Sequence, residues 1–572
     1  MYNGAYEEVT LANQFQDKPL FEKTIGQVLR EKTALHPGSE CVVSPEYDIR
    51  WTWREFDRLT DEVGRGLMAL GVEKGKHVSI WATNVPEWML VYFAAAKIGS
   101  PLVTVNTNYK QFELEYLLRQ SDTHTLIMID GVKDNSYTSS LQAICPELAD
   151  SARGEADFKK LPCLKNVIFI GKKENTPEGF LHFDSLFDIA ERTTREEFDA
   201  RAGSVSPHDV VSLIYTSGTT GFPKGVMLTH YNLTNNGQGM GDRMRFTNSD
   251  RLLIVVPLFH CFGCVLGVMS CLTHGTTMVL MERFHPVREM EMLEREKCTA
   301  VHGVPTMFIA MLEHPEFARF DFSSLRTGIM AGSPCPVKSM KEANELMHLS
   351  EITIVFGQTE TSPGMTQTRA DDSEELRTTT VGFPLPHCEV RIVDPETNEE
   401  LPDDTQGEIV GRGYNLMKGY YKMPEATAAV VDSQGWLHTG DIGLRMPNGY
   451  FKITGRLKDM IIRGGENIYP REIEEFMYTH PAVRDVQVVG VPDEKYGEEV
   501  LAWVALRGGT NATQGELIEF VKNGMSRYKS PRYVLFIDEM PMNAAGKVLK
   551  YKLREMGIQQ LHLEKAASVE TA

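Results

Sequence analysis

Short apolar runs and stretches of helical periodicity alternate along the chain up to about residue 355. Thr52 to Ala69 repeats apolar positions at helical spacing behind a threonine start and predicts a helix. His77 to Ala82 predicts a strand, Pro86 to Ile98 an amphipathic helix, and Pro101 to Val105 the next strand. Leu126 to Ile129, Asn166 to Ile170 and Leu252 to Leu258 are further strand-like runs. This alternation predicts an α/β fold of parallel sheets with crossover helices. From about Val381 short strands, such as Cys388 to Val393 and Gly407 to Val410, are separated by Pro, Gly and Asn turns, as in a small β unit. A third texture begins near Asp459: helical over Arg471 to Thr479, strand-like over Val483 to Val491, helical again over Gln514 to Ser526. The main boundary is placed near Lys458, dividing residues 1–457 from 458–572, and a frayed tail is expected from about Gln559.

Composition narrows the class. A chain of 572 residues holds more than one domain, and 42% hydrophobic with 24% charged residues is ordinary for a soluble globular protein. A formal net charge of −19 argues against nucleic acid or an anionic membrane as the main partner. Nine scattered cysteines suit a reducing compartment and give no disulfide framework. The first residues are neither basic nor apolar, no apolar run is long enough to span a bilayer, and the last residues match no lipidation or peroxisomal ending. The cytoplasm is the expected compartment, and a monomer or homodimer the expected state.

The chemistry concentrates in one segment. Tyr215, Thr216, Ser217, Gly218, Thr219, Thr220, Gly221, Phe222, Pro223, Lys224 and Gly225 follow the apolar run Val210 to Ile214, which reads as a buried strand. Glycines let backbone N–H groups turn inward, hydroxyls add donors, and Lys224 adds a positive charge, so the loop suits a polyphosphate. It is not a Walker A loop, because Gly225 rather than Ser or Thr follows the lysine. Other candidates lie far apart. Thr359 and Glu360 sit at the end of a short strand and suit a nucleotide-metal site, since Mg2+ takes carboxylate and phosphate oxygens. Gly332 and Ser333 form a turn that could lie against a flat base. Asp441 offers a carboxylate able to accept from both ribose hydroxyls. Arg456 supplies a guanidinium just before the boundary, and Lys547 stands on a Gly-containing loop where, by itself, it reads as a surface lysine.

Together these segments resemble the adenylate-forming superfamily of acyl-CoA synthetases, adenylation domains and firefly-type luciferases. Tyr215 to Gly225 resembles its phosphate-loop signature almost position for position, and Phe356 to Glu360, Thr439 to Asp441, Gly455 to Asp459 and Gly546-Lys547 match later signatures in order. The resemblance runs from about residue 25 to 555, and Val255 to His260, Gly303 to Met307, Gln358 to Pro363 and Arg463 to Arg471 draw it toward fatty and medium-chain acyl-CoA synthetases. It implies a large N-terminal domain of two parallel α/β subdomains with a small β-barrel, and a small mobile α+β C-terminal domain. The ligands it implies are ATP, Mg2+, CoA and a small-molecule carboxylic acid. Thr216 to Lys224 would hold the β- and γ-phosphates, Glu360 the Mg2+, and Thr359 the α-phosphate. Gly332 and Ser333 would line the adenine, with Asp441 and Arg456 at the ribose. Lys547 would bridge the carboxylate and the α-phosphate. Lys458 would be the hinge, and Gly464, Gly465 and Glu466 would line the pantetheine tunnel. His260 would stand at the acyl-pocket entrance.

The chemistry so implied is attack of a carboxylate on the α-phosphorus of ATP, expulsion of pyrophosphate, and displacement of AMP by a thiolate. Bringing two anions together needs donors and positive charge aimed at the developing charge. Cys261 to Leu272 is apolar and lacks the arginine or aspartate that would suit a charged acid, which favours an aliphatic chain. Cys261 and Cys264 have a C-x-x-C spacing, but no second pair follows, so packing rather than zinc is expected. Aryl or cinnamate-type acids, or delivery of the acyl group to a separate carrier protein, are the alternatives. Asp184-Ser185-Leu186 lacks the Gly-Gly context of a fused carrier.

Overall fold

The computed structural model describes residues 19–150, 157–216, 223–333, 335–463, 466–493, 496–525, 527–543 and 546–564. Two seven-stranded sheets carry the large N-terminal part. In one, Glu351–Thr353, Thr327–Met330, Ala300–Gly303, Arg251–Ile254, Thr277–Leu280 and Glu40–Ser44 run parallel, and Ile49–Thr52 closes the edge as a hairpin partner. In the other, Val210–Thr216, Leu102–Thr104, His77–Trp81, Thr123–Met128, Asn166–Phe169 and Leu181–His182 run parallel, and Lys224–Thr229 lies antiparallel at the edge.

Local sequence explains where the helices begin. Thr52 caps the helix Trp53–Ala69: its hydroxyl accepts from the Glu55 amide, and the Glu55 carboxylate accepts from the Thr52 amide at 2.8 Å. Thr24, Thr194, Thr229 and Thr513 build the same reciprocal cap. The helix Pro86–Lys97 departs from expectation. It is not amphipathic but buried along nearly its whole length, because it packs between the helices Ile25–Leu35 and Trp53–Ala69 and the strands beneath. Its one cation, Lys97, is buried among Asp57 and Asp61, with Nζ to carboxylate distances of 2.5 and 2.6 Å. A buried charge is tolerated only when paired in this way.

The run read as a strand from Leu252 to Leu258 stops at Ile254. Beyond it, the Asn84 side-chain amide donates to the carbonyls of Val255 and Val256 at 3.4 and 3.1 Å, and the Leu258 amide returns a bond to Asn84 Oδ1 at 2.8 Å. A side chain takes the place of a ladder partner, so the backbone is free to turn toward His260.

The β unit is the four-stranded antiparallel sheet Cys388–Val393, Gly407–Gly413, Leu437–Arg445 and Phe451–Arg456, next to a small three-stranded sheet that begins at Val355–Phe356. After Arg456 comes the short turn Leu457–Asp459 and then a separate sheet. There Val483–Asp493 pairs with Gly497–Leu506, which also meets Ile461–Arg463 and Tyr533–Phe536. Its own core includes Ile473, Val486, Ala502, Leu517 and Val534. This C-terminal part rests on the N-terminal part through Tyr469 against Gly455 and through an Arg507–Glu313 ion pair of 2.5 Å.

Candidate active site

The candidate polyphosphate segment joins two antiparallel strands. Thr216 and Lys224 are paired residues of two antiparallel strands. Of the residues between them, the candidates Ser217, Gly218, Thr219, Thr220, Gly221 and Phe222 lie outside the described residues. The expected strand before this segment is present as Val210–Thr216, and the chain returns as the edge strand Lys224–Thr229. Pro223 stands just before that strand, where its carbonyl accepts from the Tyr116 hydroxyl at 3.3 Å.

Residues 417–421 run alongside this strand. The Lys418 amide donates to Met227, Met227 donates to Gly419, and Tyr421 donates to Gly225 at 3.0, 3.0 and 2.8 Å. The Met417 amide reaches the Glu360 carbonyl at 2.9 Å, and the Tyr420 hydroxyl donates to Glu360 Oε1 at 2.7 Å. The Glu360 carboxyl is buried and held above the usual carboxylate range by loss of solvent, while Tyr420, Lys224 and Arg456 pull it back toward the ionised form. Among the described residues no three His, Cys, Asp or Glu side chains gather as a metal cluster. A single buried carboxylate beside the candidate phosphate segment fits Mg2+, which keeps several waters and takes phosphate oxygens.

A second group forms at the end of the β unit. Asp441 and Arg456 face each other across paired strands, with Arg456 Nε to Asp441 Oδ1 at 2.6 Å. The Asp441 amide donates to Thr439 Oγ1 at 3.0 Å, which supports the left-handed backbone of Gly440, φ +69°, within the strand Leu437–Arg445. Burial raises the Asp441 carboxyl, and Arg456 and Lys547 oppose that. Lys547 therefore lies within electrostatic reach of Asp441, Arg456, Lys458 and Asp459. Loss of solvent, with Arg456 beside it, lowers its ammonium to about 8. The reading of Lys547 as a surface lysine fails because its loop is docked. Gly546 has φ +78°, and a Cβ there would come within 2.8 Å of Val304 Cγ2 on the N-terminal part. Asn543 clamps the turn, its Oδ1 accepting from the Lys547 amide at 2.9 Å.

A third group faces the same space. His260 Nδ1 accepts from the Phe262 amide at 3.1 Å, so the neutral ring carries its proton on Nε2. Burial, helped by the Lys547 charge, lowers His260 to about 4 and keeps it neutral. Cys261 Sγ lies 3.4 Å from Thr359 Oγ1, which ties Thr359 to the start of the apolar segment. That segment is a wide π-helical turn, Phe262–Gly267, followed by the helix Val268–His274, and it is buried from Phe262 to Thr273. Cys264 belongs to that packing, as expected. Gly332, at φ +88°, lies against Val304, whose Cγ1 is 3.1 Å from where a Cβ would stand, and Ser333 follows it half-buried.

The structure thus brings Lys224, Glu360, Asp441, Arg456, Lys547 and His260 into one electrostatic neighbourhood. Lys458 is exposed on the turn Leu457–Asp459. Gly464 and Gly465 lie outside the described residues, as does the Glu466 side chain, and Arg463 is paired with Glu499 at 2.9 Å. Sequence reasoning missed Tyr420. Nothing in the pair Tyr420-Tyr421 marks it, and only the pairing of residues 417–421 with Lys224–Thr229 reveals its place.

Known proteins resemble this chain over nearly its whole length. The AMP-binding enzyme family model matches residues 29–421, and that of the AMP-binding enzyme C-terminal domain matches 472–547. The YngI protein of Bacillus subtilis (strain 168) is 51% identical over 544 residues, covering 95% of this chain and 99% of that protein. The mitochondrial medium-chain acyl-CoA ligase ACSF2 of Danio rerio is 39% identical, covering 95% of this chain and 90% of that protein. The crystal structure of the anthranilate CoA ligase AuaEII with anthranoyl-AMP superposes with a TM-score of 0.83 at 26% identity, covering 96% of this chain and 99% of that one. Among the described residues no helix is long and apolar enough to cross a membrane.

Proposed function

We propose, from the premise that the chain belongs to the AMP-binding enzyme family, that it converts a medium- to long-chain fatty acid to its CoA thioester in two steps. It is an AMP-forming acid–thiol ligase, with ATP and CoA as co-substrates and Mg2+ as cofactor. The observation that supports the two-step reading most is Lys547, held on a docked loop beside Asp441, Arg456 and His260.

In the first step Asp441 accepts from the ribose, with Arg456 beside it, and Gly332 and Ser333 lie along the adenine. Thr216 and Lys224, with the loop between them, grip the β- and γ-phosphates. Glu360 would hold Mg2+, which when bound would neutralise phosphate charge. Thr359 and Lys547 meet the α-phosphate as the acid's oxygen attacks and pyrophosphate departs. The Lys547 ammonium offsets the charge that builds between the two anions. His260, neutral with its proton on Nε2, would donate to the acid's carboxylate. Residues 458–572 then turn as a mobile domain about Lys458, and Gly464, Gly465 and Glu466 come to line the path of the pantetheine thiol. A thiol with a reference pKa near about 8.5 is partly ionised without a dedicated base.

The fully buried segment from Phe262 favours an aliphatic chain. The nine cysteines are all free of disulfides, which suits the cytoplasm as the inferred compartment. The test is a panel of acids from butanoate to octadecanoate, with cinnamate and anthranilate, assayed for CoA-dependent AMP release. Octanoate to hexadecanoate are expected to exceed both aryl acids in kcat/KM by roughly tenfold or more. An aryl acid at the top of the panel would overturn the aliphatic assignment.

A further inference from the structure

The geometry points to Tyr420 as a positioning residue that couples the phosphate-gripping lysine to the metal-facing carboxylate: its ring carries Lys224 and its hydroxyl fixes Glu360. This rests on the reading that Lys224 meets a phosphate and Glu360 faces Mg2+. Lys224 Nζ stands 5.0 Å from the centre of the Tyr420 ring, a distance at which a ring face attracts an ammonium. On the other side the phenol donates to Glu360 Oε1 at 2.7 Å, a charge-assisted bond that fixes the carboxylate's orientation.

Tyr420 itself is locked. It is only 6% exposed, its amide donates to Thr427 Oγ1 at 2.9 Å, and it bridges Val226 in the middle of the hairpin's returning strand. Its chain neighbours are bonded to Gly225, Met227 and Glu360. One rigid side chain therefore sets the relative position of two groups that come from distant parts of the sequence. A tyrosine that only filled space would touch both groups without needing its hydroxyl. The structure instead uses ring and hydroxyl separately, so the two contributions can be taken apart by substitution.

The test is calorimetric titration of ATP, without any acid, into the full chain, once with Mg2+ and once with EDTA. Tyr420→Phe keeps the ring and loses the bond to Glu360. Its affinity in EDTA is expected to stay within about twofold of the native protein, while the tightening brought by Mg2+ shrinks by roughly tenfold. Tyr420→Leu loses both contacts and is expected to weaken ATP in EDTA as well, by roughly threefold or more. Glu360→Gln should abolish the tightening, and adding Tyr420→Phe to it should change nothing further. That cycle carries the test should the leucine variant fail to fold. A phenylalanine variant with native Mg2+ tightening, or one indistinguishable from the leucine variant, overturns the proposal. A native protein that binds ATP equally with and without Mg2+ overturns the underlying reading of the site, and the proposal with it.

Discussion

Replacing Lys547 with alanine is expected to slow adenylation by at least about 100-fold, the cost of losing a charge aimed at the transition state. The expectation rests on where the ammonium is held. Its loop is clamped by Asn543 and pressed against Val304 at Gly546, so the side chain is delivered into the site rather than waving in solvent. Neither Arg456 nor His260 can take its place: Arg456 is bonded to Asp441, and His260 is neutral. The measurement is acid-dependent exchange of pyrophosphate into ATP, and near-native exchange would refute the assignment. Transfer of a pre-formed acyl-adenylate to CoA should fall only a few-fold, because that half-reaction does not use Lys547. The same residue sets a pH limb. With the ammonium lowered to about 8, the active, protonated form prevails below that pH, so kcat/KM for ATP should be flat there and fall above it. Lys547→Arg, which cannot lose its charge, should remove the limb even if the rate drops.

The second large effect is expected from Lys458→Pro. Lys458 sits in the short 3-10 turn Leu457–Asp459, after the last strand of the β unit and before the separate C-terminal sheet. Proline fixes φ near about −65°, a value such a turn already uses, so the arrangement seen here should survive. A large rotation of the C-terminal part, however, needs a backbone angle to change at this point, and proline resists that. Adenylation should stay within about threefold, while thioester formation falls roughly 100-fold, the scale set by misplacing reacting groups. Equal losses in both half-reactions would sink the hinge assignment.

What the sequence made legible follows from how far each signal reaches along the chain. The reciprocal caps at Thr52 and Thr513 are local, and the helices begin where those residues place them. The strands Cys388–Val393 and Val483–Asp493 carry their own alternation and turns, and fall where that pattern put them. The helix Pro86–Lys97 was legible as a helix but not in its burial, because that is decided by layers on both sides. The stop at Ile254 depends on Asn84, a partner far away in sequence. The site shows the same division. Lys224 and Asp441 stand in recognisable local settings, whereas Lys547 taken alone reads as a surface lysine; the ordered family resemblance picks it out, and the structure adds the docking of its loop against Val304. Tyr420 had no sequence signature, since its role exists only in the register of two paired segments.

The central claim is that a carboxylate oxygen attacks the α-phosphorus of ATP. It is tested most directly by running the reaction with a fatty acid labelled with 18O in its carboxylate and weighing the products. The expected result is one labelled oxygen in AMP and none in pyrophosphate. Label in pyrophosphate or inorganic phosphate, or unlabelled AMP, would contradict it.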